Sequence, residues 1–153
     1  MASPPDHLPD AEYTRLLEFR AGLRRFLRWS AQQAARAGLT PTQHQLLLAI
    51  RGHPGPGGPS IGEVAHYLST RHHSAVQLID RTERLGLVAR SRSDGDDRRV
   101  VRLALTKAGQ AKLAQLTATH LEELRRLAPL IDALIEPPDI EPSASVGASR
   151  WTP

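Results

Sequence analysis

A chain of 153 residues, 40% apolar and 4% aromatic, is sized for one domain with a core of Leu, Ile, Val and Ala. With no cysteine at all, disulfides, thiolate metal sites and cysteine redox sensing are excluded, and no stretch approaches the roughly 18 uninterrupted apolar residues of a membrane helix. A formal charge of +4, carried by 18 Arg against 2 Lys, favours an anionic partner, because the planar guanidinium fork suits phosphate.

The opening segment "MASPPDHLPDAEY" has no basic region followed by an apolar run, so no secretory signal is expected and the cytoplasm is the default location. Residues 1–9, with three prolines, read as a flexible lead-in. Asp10 is placed to cap a first helix over about 11–37, whose Tyr13, Leu16, Leu17, Leu23, Phe26, Leu27 and Ala34 recur at three- and four-residue steps. Gly38 supplies its stop. In "LTPTQ", Thr40 caps the next helix, Pro41 takes its first position and Gln43 completes a capping box, with Leu46, Leu47 and Ile50 on the buried side.

The Gly/Pro-rich "GHPGPGGPS" (52–60) is a loop. Ser60 and Glu63 then form a second capping box, opening a short helix whose apolar side is Ile61, Val64, Ala65 and Leu68. After a tight connection at Ser69 and Thr70, a further helix runs to Leu85 and closes at Gly86. The period then changes. "LVARSRS" (87–93) and "VVRLALT" (100–106) are short Val/Leu-rich runs flanking the turn "DGDDRR", which predicts a β-hairpin with a charged tip. Thr106 caps a helix from Lys107 with a stripe of Leu113, Leu116, Leu121, Leu124 and Leu127, and Pro129 is expected to divide it from a last short helix, "PLIDALI". Residues 137–153 lack a core pattern and are expected to be disordered. Short helix, tight turn, second helix and hairpin is the outline of a winged helix-turn-helix.

The helix beginning at Arg71 has two faces. At about 100° per residue, Ala75, Leu78, Ile79, Thr82 and Leu85 gather on one side, and His73, Val76, Gln77, Asp80 and Arg84 on the other. Ser74 and Arg81 lie on one flank. Gln77 can pair bidentately with adenine, Val76 can touch a thymine methyl, and His73 can meet a purine edge. Ser69, Thr70 and Arg71 stand at the helix start, where hydroxyls and backbone N–H groups favour phosphate. Asp80 facing DNA would be repelled, so it is expected to pair with a nearby Arg and fix its direction. An Arg excess can also reflect genome base composition, so its distribution matters more than its total. From Arg71 to Arg102 there are eight Arg against five acidic residues. A polar face on an amphipathic helix is common in globular proteins; what points to DNA is the conjunction of tight turn, basic-headed helix and Arg-tipped hairpin.

The stretch "SIGEVAHYLSTRHHSAVQLIDRTERLGLVARSRSDGDDRRVVRLALTKAG" resembles the MarR family of transcriptional regulators, notably in "IGEVAHYL", "SAVQLIDR...GLV" and the wing "DDRRVVRLALTKAG"; "LTPTQHQLLLAI" resembles the preceding family helix. The likeness spans about residues 10–135. It implies a mainly α fold with a small β-hairpin wing: a winged helix-turn-helix (39–106) between a dimerisation helix (10–38) and C-terminal dimerisation helices (107–136). It further implies a homodimer on a palindromic site in double-stranded DNA, with repression relieved by a small effector, often aromatic and anionic. The family's D-x-R wing motif falls on Asp97 and Arg99, so Arg99 would enter the minor groove with Asp97 holding its guanidinium, and Arg98 would meet phosphate. Trp29 and His44 are the most ligand-friendly residues of the implied effector cleft; a packed tryptophan and a polar helix-face histidine is their plainer reading.

Two other binding functions stay open: a winged helix used only to bind protein, and a metal-responsive regulator suggested by seven His. No His pair has i, i+4 ligand spacing supported by a third neighbour, so no metal site and no cofactor is expected. Nor is an enzyme expected, since no nucleophile elbow, phosphate loop or HExxH motif occurs.

Overall fold

The computed structural model describes residues 8–92 and 100–135. Five helices and one hairpin follow in the order α1 (Asp10–Arg36), α2 (Pro41–Gly52), α3 (Ile61–Tyr67), α4 (His72–Arg84), β1 (Val88–Arg92), β2 (Val101–Leu105) and α5 (Lys107–Ile135). This is the mainly α architecture with a small wing that the sequence predicts.

The helix ends follow local chemistry. Thr40 accepts from the Gln43 backbone N–H at 3.2 Å while the Gln43 side chain accepts from the Thr40 N–H at 2.9 Å, and Ser60 and Glu63 repeat this reciprocal box. Thr106 Oγ1 likewise accepts from Gly109 N–H at the start of α5. Gly38 and Gly86, at φ +74° and +72°, take the left-handed conformation that stops α1 and α4. Asp10 departs from expectation. Pro9 occupies the cap position without any side-chain bond, and Asp10 is the first helical residue, where its charge instead favours the positive end of the helix dipole.

A second correction concerns α5. Pro129 does not divide it; the helix continues to Ile135 with the proline inside. A proline forfeits one backbone bond, and α5 packs on α1 on both sides of it, through Leu127 and Leu130 near Gly22. At Gly22 that packing is tight enough that a Cβ would lie 2.9 Å from Leu130 Cδ1.

The core joins α1, α2, α3, α4, the hairpin and the first part of α5, with Leu46, Leu47, Val64, Ile79 and Leu103 sealed at its centre. β1 and β2 pair antiparallel from Val88↔Leu105 to Arg92↔Val101. The loop after α2 anchors the outer edge of this ribbon. Leu103 N–H donates to Pro59 O at 3.0 Å, Ser60 bridges Arg102, and Arg102 Nη1 reaches Gly58 O and Glu63 Oε2, each at 3.3 Å. The Gly/Pro-rich segment is thus a buttress for the wing.

Beyond this core, α1 and α5 expose apolar side chains. Tyr13, Leu16, Leu17, Leu23 and Leu27 of α1, and Leu121, Leu124 and Ile131 of α5, face outward on the single chain. Among the described residues, these side chains of the two helices that the family resemblance assigns to dimerisation stand exposed. No helix among the described residues is long and apolar enough to cross a membrane.

Candidate nucleic-acid interface

Tertiary packing fixes the rotation of α4. Ala75, Ile79 and Thr82 are fully buried, and Leu78 packs against the core. Thr82 Oγ1 donates to Leu78 O at 2.8 Å, which satisfies the hydroxyl inside the helix. Leu85 corrects the wheel: it forms the cap position and stands exposed, because Gly86 turns the chain before another helical turn can bury it. On the opposite face His73, Gln77, Arg81 and Arg84 are exposed, while Ser74, Val76 and Asp80 are half-buried.

The N-terminal end of α4 forms at a sharp junction. Ser69 takes φ +48°, Ser69 N–H closes on His66 O and Thr70 N–H on Ala65 O, turning the chain between α3 and α4. Arg71 is the cap residue, and no side chain caps the helix, so its first-turn N–H groups keep their capacity for an outside acceptor. Ser69, Thr70 and Arg71 are all exposed there. An open groove of about 340 Å³ runs from this junction along α4, lined by Thr70, Ser74, Gln77 and Arg81 and, from α2, by Thr42 and Gln45. Sequence reasoning missed the α2 contribution. The one signal was that Gln45 lies about 160° around α2 from the buried Leu47.

Asp80 has the partner expected of it, and that partner is on the wing. Arg90 of β1 places Nη2 2.5 Å from Asp80 Oδ1, while Nη1 donates to Glu83 Oε2. The Asp80 bond, foremost, and the Glu83 charge raise the guanidinium's pKa above its ordinary value, against a smaller opposing effect of burial. Glu63, with its carboxyl held below the usual range chiefly by the Ser60 N–H and hydroxyl, faces Arg102. Arg71, Arg81, Arg84 and Arg92 remain exposed. The wing-tip residues Asp97, Arg98 and Arg99 lie outside the described residues.

The residues expected to line an effector cleft come together around one that sequence reasoning overlooked. His120 of α5 is buried, its ring centroid 4.9 Å from that of Trp29 and 4.6 Å from that of His44, with Phe26 edge-on at 6.0 Å. His120 Nδ1 lies 2.7 Å from Leu116 O, which can only accept, so Nδ1 carries the proton; in the neutral ring Nε2 then accepts from the Ser30 hydroxyl at 2.7 Å. The His120 ring fills the space between Trp29 and His44. Burial, foremost, and the neighbouring His120 hold the His44 imidazole below its ordinary pKa. The signal for His120 was its position seven and four residues after Leu113 and Leu116, on the buried side of α5. Among the described residues no cluster of three or more His, Asp or Glu could hold a metal.

The family model of the MarR family matches residues 37–99. No curated protein sequence matches the chain. Among solved structures it is similar to the YusO protein of Bacillus subtilis (TM-score 0.60, 23% identity, covering 80% of this chain and 85% of that one). It is also similar to MepR, a transcription regulator of the Staphylococcus aureus multidrug efflux pump MepA (TM-score 0.63, 21% identity, 72% and 79% covered). The S. aureus MepR–DNA complex matches with a TM-score of 0.62 at 20% identity, covering 72% and 78%. Residues 37–99 of this chain thus match the model of the MarR family, and the chain shares the fold of these solved structures.

Proposed function

We propose that the chain is a DNA-binding transcriptional regulator acting as a homodimeric repressor. The observation that carries the reading is the outward face of α4. Gln77, His73 and Arg81 stand exposed on a helix whose other side is locked into the core, next to an uncapped N-terminus and a basic hairpin. A side-chain amide, an imidazole and a guanidinium at that spacing match base edges and phosphates of a major groove. The wing residues Arg98 and Arg99, with Asp97 orienting the latter, would extend the contact to phosphate and the adjacent minor groove. MepR, similar in fold, is seen in a complex with DNA. The function is binding rather than catalysis, in a cytoplasmic setting.

Leu16, Leu23 and Leu27, spaced by seven and four residues on one exposed side of α1, would meet a second copy together with the exposed leucines of α5. Two-fold symmetry then pairs two α4 helices and calls for a palindromic site. A small aromatic or anionic effector would enter where Trp29, His44 and His120 join α1, α2 and α5, displacing ring contacts. It would release DNA by favouring a different spacing of the two α4 helices.

The test is selection of bound fragments from the source genome, followed by anisotropy titrations of a selected fragment at increasing salt. The reading expects affinity to fall steeply and linearly on a log–log plot. A weak interaction insensitive to salt would instead mark a protein-binding winged helix.

A further inference from the structure

The two carboxylates on the DNA-facing helix are not left free. Asp80 and Glu83 lie three residues apart, one turn along α4, and both point at a single guanidinium that belongs to another element. Arg90 sits in the middle of β1 opposite Leu103, on the same side of the ribbon as the buried Val88. Its two Nη groups divide between the two acids, one each. A planar fork can do this; a lysine ammonium would act as one point charge.

Resting on the DNA-binding reading, we infer that Arg90 is a positioning residue: it clamps the wing to the recognition helix and is not itself a phosphate ligand. A two-stranded ribbon is marginal alone. Here β2 is tethered by Pro59 and Ser60, and Arg90 supplies the matching tie from β1 to α4. The same contact offsets two negative charges on the helix that approaches DNA. Of the arginines in this basic segment, Arg90 thus acts by fixing the angle between helix and wing, which sets whether both reach their grooves at once.

Because the chain has no cysteine, a nitroxide on Ser91→Cys, an exposed position in β1, reports ribbon motion alone. In the free protein Arg90→Gln should mobilise the label, and Arg90→Lys should do so partly. The pair Asp80→Asn/Glu83→Gln should mobilise it as much as Arg90→Gln, with no further gain in the triple variant, since all three break one linkage. On DNA, Arg90→Gln should lose roughly tenfold in affinity while keeping the salt slope of the unsubstituted chain. Should Arg90→Gln fail to fold by circular dichroism, the Asp80/Glu83 pair carries the same test. An immobile label in every variant would overturn the clamp, as would a salt slope reduced by about one phosphate contact in Arg90→Gln. If the unsubstituted chain binds no DNA, the regulator reading fails, and the label in free protein still decides whether Arg90 holds the wing.

Discussion

Replacing Ile79 by alanine tests the rotation of α4, on which every assignment of an outward residue depends. Ile79 is fully buried among core side chains, with Thr82 and Ala75 on the same side. The substitution removes three carbons, worth about 2.4 kcal/mol at roughly 0.8 kcal/mol each. A cavity that closes only in part adds to this, and buried Ile→Ala changes span about 2–5 kcal/mol. A loss of about 3–4 kcal/mol is expected. Gln77, two residues away and about 200° around the helix, is exposed, so Gln77→Ala should alter stability by no more than about 0.5 kcal/mol. Urea unfolding of both variants at equal protomer concentration gives the comparison, with equal m-values confirming that only stability changed. An Ile79→Ala loss below about 1 kcal/mol, or a Gln77→Ala loss as large as that of Ile79→Ala, would mean that α4 is rotated and the proposed reading face is wrong.

Burial of His44 makes stability depend on pH. Its folded pKa is depressed while the unfolded imidazole titrates near 6.5, so the unfolded state binds more protons on acidification. Stability should therefore fall as the pH drops below about 6.5, and His44→Gln should flatten that slope; an unaltered profile would refute the assignment. At Gly58, φ is +82° and a Cβ would lie 2.0 Å from Leu103 O. Gly58→Ala should cost at least about 1–3 kcal/mol, with the loss of amide-exchange protection greatest at Leu103, and full protection there would show that the buttress does not matter. On α1, Leu23→Lys/Leu27→Lys places charges on the exposed apolar side. Sedimentation should then report single chains where the unsubstituted protein pairs, because each buried leucine is worth about 2 kcal/mol; a persisting dimer would move the interface elsewhere.

Local chemistry was legible in the sequence wherever a few adjacent residues decide the outcome. The boxes at Thr40/Gln43 and Ser60/Glu63, the cap at Thr106 and the stops at Gly38 and Gly86 need only short-range bonds, and each stands where the residue pattern places it. Asp10 failed because a capping residue type does not compel a cap when the preceding proline already sets the entry angle. Pro129 failed for the converse reason: a local break signal was overridden by long-range packing of α5 along α1.

The site was legible in part. Periodicity found the outward face of α4, since a helix that buries Ala75 and Ile79 must expose His73 and Gln77. Charge counting over the segment treated every arginine alike; that Asp80 would take an Arg was legible, but not that Arg90 of the wing serves both Asp80 and Glu83, nor that Arg102 meets Glu63. His120 meets Trp29 and His44 across three helices, and Thr42 joins the α4 groove from a different element. Such meetings depend on how helices cross, and spacing along the chain does not encode them.

The most direct trial of α4 as a sequence reader is a base-by-base substitution of a selected operator, measured with the unsubstituted chain and with Gln77→Ala. Gln77→Ala should erase a preference of about 1–3 kcal/mol at one symmetry-related pair of positions and leave discrimination elsewhere intact. Equal weakening at every position, or an unchanged preference profile, would contradict the placement of Gln77 against a base edge.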